Sequence, residues 1–352
     1  MNLLKKYLFP ISIFTFYIAQ IQGLYPSVGR RIIWELIVIL ASSLYFLVNP
    51  IHKAAMGYCV FLSLFRGSAL SFAYLVTIWC GFMFCSMVYR AKDFSVKNWF
   101  WIFAIIWVWS TYAILAAKFN WWSPFYIIQE TRHKHWPQYS GAFTHTVYQG
   151  MFSGIVAILS IYFSPLFVIP QIATLWLSHC SVAFVSSGAC LALYLCRRFK
   201  RFWPLFAVVS IASILAYMRF DGTLSLKLSE TSRMTYWTML VKESGVLWFG
   251  NGLGSFESVV GVVGTGKFVN AHNFILQWYY ETGIAGLGLV VAYGVYLVNL
   301  FRKTKFTNRI FTLSLCVGMF LFCSLWQPSM YVVEVAVPFL ILLTLLEREL
   351  KI

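Results

Sequence analysis

Long apolar runs separated by short basic breaks dominate this chain. They cover residues 7–24, 32–48, 54–65, 70–89, 99–117, 148–163, 166–177, 182–196, 202–218, 284–301, 310–325 and 331–346. None of them alternates with the period of two that marks a membrane barrel strand. A backbone in lipid must satisfy its own hydrogen bonds, so such runs predict spanning helices of roughly 20 residues. The expected fold class is therefore all-α, a polytopic integral membrane protein with a single membrane domain over residues 1–352. The run at 54–65 is too short to cross straight and is expected to be a half-span or a helix with blurred ends. With the short pieces included, the count is about twelve spans.

Two polar stretches interrupt the pattern, residues 118–147 and 219–283, and charge assigns them a side. Basic residues favour the cytoplasmic side of a bilayer. If the N-terminus is cytoplasmic, Lys5/Lys6, Arg90/Lys92/Lys97, Arg197 to Arg201, Arg302 to Arg309 and Arg348/Lys351 all fall inside, with Arg30 and Arg31 the exception. Both polar stretches then face outward. Of eleven acidic residues, five (Asp221, Glu230, Glu243, Glu257 and Glu281) lie in the second stretch, which marks it as the water-facing folded part.

Composition agrees with the pattern. The chain is 60% hydrophobic and 11% charged, whereas soluble domains carry roughly 25% charged residues. The net charge of +16 is explained by topology signals and lipid headgroups, and no nucleic-acid motif accompanies it. Eight cysteines fall in or beside apolar runs without metal-site spacing, so they read as small hydrophobes. Lys5 and Lys6 precede an apolar run as in a signal sequence, but no small-residue cleavage site follows, so an uncleaved first helix is expected.

Candidate chemistry concentrates at the end of the second polar stretch. His272, beside Asn273, is the type of side chain that takes and returns a proton near neutral pH, with an unperturbed pKa of about 6.5. Upstream, Met234, Trp237 and Val241 recur at helical spacing, which puts Arg233 near the start of an amphipathic helix capped by Ser or Thr. A guanidinium there suits an anion, and an arginine touching lipid phosphate is the alternative reading. The sequence Gly250-Asn251-Gly252-Leu253-Gly254 lacks the preceding strand and the ending of a nucleotide loop, so it reads as a turn bringing backbone against backbone. His133, Lys134 and His135 form a basic patch that is either solvated or anion-binding. Glu334 falls inside the last apolar run, a costly place that makes it a functional suspect.

These residues carry a resemblance. His272-Asn273, nine residues, Gly283, two residues and Gly286 resemble the signature of the O-antigen ligases, and Arg233, Trp237 and Gly250-x-Gly-x-Gly-x-Phe256 are similar to the rest of the domain shared by ligases and O-antigen polymerases. The close match covers about 75 residues. It implies a metal-independent, cofactor-free glycosyltransferase of the bacterial inner membrane, multi-pass, with its site facing the periplasm. The donor it implies is a glycan on undecaprenyl pyrophosphate. The acceptor is a sugar hydroxyl of lipid A-core or of another lipid-linked glycan, and membrane lipids are the surroundings.

On this resemblance Arg233 holds the pyrophosphate, and His272 is base to the acceptor hydroxyl or donor to the phosphates. Asn273, Lys134, His135, Lys242, Gly252 and Gly254 are the substrate-contacting candidates. The sequence departs from the family where members carry further arginines: the local candidates here are Lys134 or His135, and Ser178-His179. The ligase is the first expectation and the polymerase the second, since the complete motif favours the ligase. A transporter or flippase is a third. It predicts polar residues spread over several helices and a repeat at half-length, and neither is visible.

Overall fold

In the computed structural model the described residues are 35–36, 38–39, 49–66, 69–91, 95–122, 129–133, 136–139, 143, 146–178, 180–199, 204, 208, 237–238, 240–242, 247–256, 271–326 and 333–352. Apart from isolated positions, the runs expected at 7–24, 32–48 and 202–218 lie outside them, as do Lys134, His135 and Arg233. Among the described residues the chain builds α1 (Pro50–Arg66), α2 (Ala69–Arg90), α3 (Val96–Phe119), α4 (Thr146–Phe163), α5 (Val168–Leu177), α6 (Ser181–Arg198), α7 (Phe274–Lys303), α8 (Asn308–Ser324) and α9 (Val333–Leu350). A 3-10 turn, Pro165–Phe167, joins α4 to α5. Among the described residues the architecture is all-α apart from one antiparallel hairpin, β1 (Gln129–His133) and β2 (Trp136–Tyr139), within the first polar stretch.

Four described segments are long and apolar enough to cross a membrane: Ser71–Arg90, Val96–Phe119, Thr146–Phe163 and Phe274–Lys303. They support the reading as a membrane protein. The short run at 54–65 is part of α1, which is 17 residues long and begins at Pro50, where a missing N–H costs nothing. Local signals set the other ends. Ser95 and Thr307 accept from the N–H of Asn98 and Ile310, capping α3 and α8, and Asn120 ends α3 in a left-handed conformation.

Helix α4 is the axis. From Thr146 to Ser160 only Tyr148 is not buried, and α3, α5, α6, α8 and α9 pack around it. Phe103 meets Phe152 edge-on at 5.9 Å, and Phe320 stacks on Phe339 at 4.4 Å. A seam of small polar side chains fastens α3, α4 and α5. Trp107 Nε1 donates to Thr174 Oγ1 (2.9 Å), Gln149 Nε2 to Ser153 Oγ (2.9 Å), and Ser110 Oγ to Gln149. Lipid offers such groups no partner, so they pair across helices.

Contacts between distant segments gather the basic helix ends at one end of the bundle. Arg348 donates to the Ala91 carbonyl (3.1 Å), Arg309 pairs with Glu349 (3.2 Å), and Arg197 donates to the Phe306 carbonyl (3.2 Å) while lying over the Phe306 and Phe311 rings. Glu347, 4% exposed, is the hub of this end. It accepts from Asn49 Nδ2 (3.3 Å), Tyr293 OH (3.2 Å), Tyr296 OH (2.7 Å) and Lys351 Nζ (2.8 Å), which ties the start of α1 and the middle of α7 to the end of α9.

Candidate functional site

At the opposite end, α7 starts earlier than its apolar pattern. Residues 274–282, which polarity assigns to the second polar stretch, are already helical because Asn273 caps them. The Asn273 Oδ1 accepts from Leu276 N (3.0 Å), and its Nδ2 donates to the Leu325 carbonyl (3.1 Å) beyond α8. One side chain therefore sets both where α7 begins and where it sits against α8.

Gly283 then breaks α7, with φ 70° and ψ −166°. In an unbroken helix Ile284 N and Ala285 N would bond to the carbonyls of Tyr280 and Glu281. Here all four groups turn to the segment 247–252 instead. Ile284 N donates to Leu247 O (2.8 Å) and Ala285 N to Trp248 O (3.1 Å), while Asn251 N donates to Tyr280 O (3.0 Å) and Gly252 N to Glu281 O (3.0 Å). The glycine turn is thus a clasp that satisfies the groups which the break releases. Such irregular backbone is tolerated at a membrane helix only where protein replaces the lost bonds.

Glycine is required on both sides of the clasp. Gly250 has φ 69°, and a Cβ there would collide with the Glu281 carbonyl. A Cβ on Gly283 would lie 2.6 Å from Trp248 O. From α1, Tyr58 OH donates to Thr282 O (2.5 Å) and Arg66 donates to the Gly250 carbonyl. From α2, Ser71 Oγ donates to Leu253 O (2.8 Å).

His272 is half-buried and sits in the turn just before α7, with φ 49°. A residue with a Cβ in this left-handed region costs about 1–3 kcal/mol unless its surroundings hold it there. They do. Trp237 Nε1 donates to Ala271 O (2.7 Å), and Ala271 N donates to Gln277 Oε1 (3.3 Å), while Asn273 is held by both ends of its amide. Leu240, Phe256 and Ala271 form a small separate core, with Trp237, Leu276 and Tyr280 packed against it. The helix bearing Trp237, the glycine turn and the histidine turn are therefore one unit.

Of the residues expected from sequence, the structure brings His272, Asn273, Gly252 and Gly254 to this end, with Lys242 exposed just past Leu240. Arg233, Lys134, His135 and His179 lie outside the described residues, as does the Glu334 side chain, although its backbone is helical. Ser178 is buried at the end of α5, its hydroxyl spent on the Leu175 carbonyl (2.7 Å). Sequence reasoning missed Tyr58, Arg66, Ser71 and Gln277 as parts of this end, and took Glu281 only as one more acid of a loop. Gln277 and Glu281 were visible as a polar i, i+4 pair in an aromatic run. Tyr58, Arg66 and Ser71 come from a different part of the chain, and no local pattern marks them.

The arrangement joins a titratable imidazole, fixed in backbone position, to the cations Arg66 and Lys242 at the same end of the bundle. Among the described residues no three His, Cys, Asp or Glu side chains are grouped to hold a metal ion. In comparisons with known proteins, no family model matches the chain and no curated protein matches it.

Proposed function

We propose that this protein is a membrane glycosyltransferase that moves a glycan from undecaprenyl pyrophosphate to a sugar hydroxyl of lipid A-core, the reaction of an O-antigen ligase. The observation that carries the reading is the motif His272-Asn273-x9-Gly283-x-x-Gly286, in which Asn273 is the cap of α7 and Gly283 its break. In the proposed reaction the acceptor oxygen attacks the anomeric carbon as the bond to the pyrophosphate oxygen breaks. His272 takes the hydroxyl proton and later releases it to water or to the departing phosphate. The leaving undecaprenyl pyrophosphate gains charge, which Arg233 neutralises.

About twelve spans and an outward-facing site complete the proposal. Their support is the charge pattern together with the contacts that gather Arg197, Arg309 and Arg348 at the end remote from His272, the end a cytoplasmic surface would attract. The site then faces the periplasm of the inner membrane.

A lipopolysaccharide gel of a deletion strain tests this, complemented with wild type, His272→Ala or Arg233→Ala and probed in parallel for polymer on the carrier. The expected result is bare core with long carrier-linked polymer in both variants. Core bearing a single repeat unit would instead make the protein the polymerase. An unchanged gel would contradict both readings.

A further inference from the structure

Two buried polar side chains on the first segment of α7 have no part in the proposed chemistry. Gln277 is 3% exposed and Glu281 1% exposed, and they are one helical turn apart. Gln277 Nε2 donates to Glu281 Oε1 (3.2 Å), and Gln277 Oε1 accepts from Ala271 N (3.3 Å). We propose that this pair is a positioning relay: the Glu281 carboxylate fixes which way round the Gln277 amide lies, and the amide oxygen then holds the residue before His272. The proposal rests on the reading of His272 as the working base.

Glu281 Oε1 is the acceptor in this pair, so the amide turns its NH₂ to Glu281. Its oxygen is thereby left facing the Ala271 N–H, which can only donate. Turned the other way, the amide would set its NH₂ against that N–H and its oxygen against the carboxylate, losing both bonds at once. Burial removes the remedy of water.

Glu281 is itself held, because its backbone carbonyl accepts from Gly252 N in the clasp at the helix break. A continuous set of bonds therefore runs from the glycine turn through Glu281 and Gln277 to Ala271. The other face of Ala271 is fixed by Trp237. His272 follows directly, in a backbone conformation that an L residue does not keep unaided.

The test is a swap. Gln277→Glu puts a second carboxylate against the first, and transfer by the full-length protein in lipid nanodiscs is expected to fall at least tenfold. Glu281→Gln offers Gln277 a donor as well as an acceptor, so the amide is no longer fixed one way round, and a loss of about threefold to tenfold is expected. The double variant Q277E/E281Q restores the pairing in reverse, with the new glutamate accepting from Ala271 N and the new glutamine donating to it. Its rate is expected to return to within threefold of wild type. Its negative charge now lies one step nearer the imidazole and favours the protonated ring, so the acid limb of the pH profile moves to higher pH.

The pH dependence of diethylpyrocarbonate modification at His272, read by peptide mass spectrometry, gives the same shift with no glycan present. A Gln277→Glu protein with wild-type rate and wild-type modification profile would overturn the relay. So would a double variant that stays as slow as the single one while melting normally. If His272→Asn leaves transfer intact, the reading of His272 fails, and the modification profile still decides whether the relay reaches that residue.

Discussion

The two ends of the bundle differ in what most of their polar side chains grip. At the basic end the hub joins side chain to side chain: Asn49, Tyr293, Tyr296 and Lys351 converge on the Glu347 carboxylate and Arg309 pairs with Glu349, while Arg348 and Arg197 reach the Ala91 and Phe306 carbonyls. At the His272 end, apart from the Gln277–Glu281 bond, side chains bond to backbone. Trp237, Asn273, Tyr58, Arg66 and Ser71 each grip a carbonyl, and Gln277 grips an N–H. The first pattern locks helices together and uses up its own polar groups. The second fixes the path of an irregular chain, which is what a site needs when one side chain must be presented in a set place.

The largest expected effect at the basic end is that of Glu347→Leu. It leaves Tyr293, Tyr296 and Asn49 without their acceptor and Lys351 without its counter-charge, for a loss of about 3 kcal/mol. Thermal melting in detergent measures it, and transfer per folded molecule should be unchanged. A large loss of rate without loss of stability would erase the distinction between the ends.

Gly283→Ala comes next. The new Cβ meets the Trp248 carbonyl and forces a left-handed conformation on alanine, so melting should report a loss of about 2 kcal/mol and transfer should fall with it. Asn273→Ala removes a cap, worth about 1 kcal/mol, and lets the start of α7 fray. Hydrogen exchange at Leu276 checks this directly, with faster exchange expected there and none at α9.

The smallest effect is one of pH. Burial pulls the Lys351 amine downward, but its bonds to Glu347 and Tyr296 outweigh this and hold its pKa above the ordinary value. A raised amine stabilises fully below its unfolded pKa of about 10.4 and loses that contribution as pH rises through the folded value. Melting at pH 7 and pH 9 should therefore show no difference traceable to Lys351, which a Lys351→Met comparison at both values measures.

What the sequence made legible follows from how local each signal is. Apolar runs and basic breaks are local, and they mark α2 to α9 to within a few residues, apart from the start of α7. That start was missed because Gln277, Glu281 and Thr282 make a buried helical segment look polar. The glycine turn was readable as close backbone contact, but its partner was not. That Leu247 to Gly252 fill the gap at Gly283 depends on two segments about thirty residues apart meeting in space. The same holds for Arg66 and Tyr58, whose role comes only from α1 lying beside the break.

On the proposed reading the His272 turn presents the working base of a glycan transfer. Single-turnover transfer by the purified protein in nanodiscs tests it most directly, from a synthetic undecaprenyl-pyrophosphate glycan to lipid A-core, in wild type and in His272→Asn, a residue that tolerates the left-handed conformation. Product is expected with wild type, and a rate lower by about 10²–10⁴ with His272→Asn at an unchanged melting temperature. A variant that transfers at the wild-type rate would contradict it.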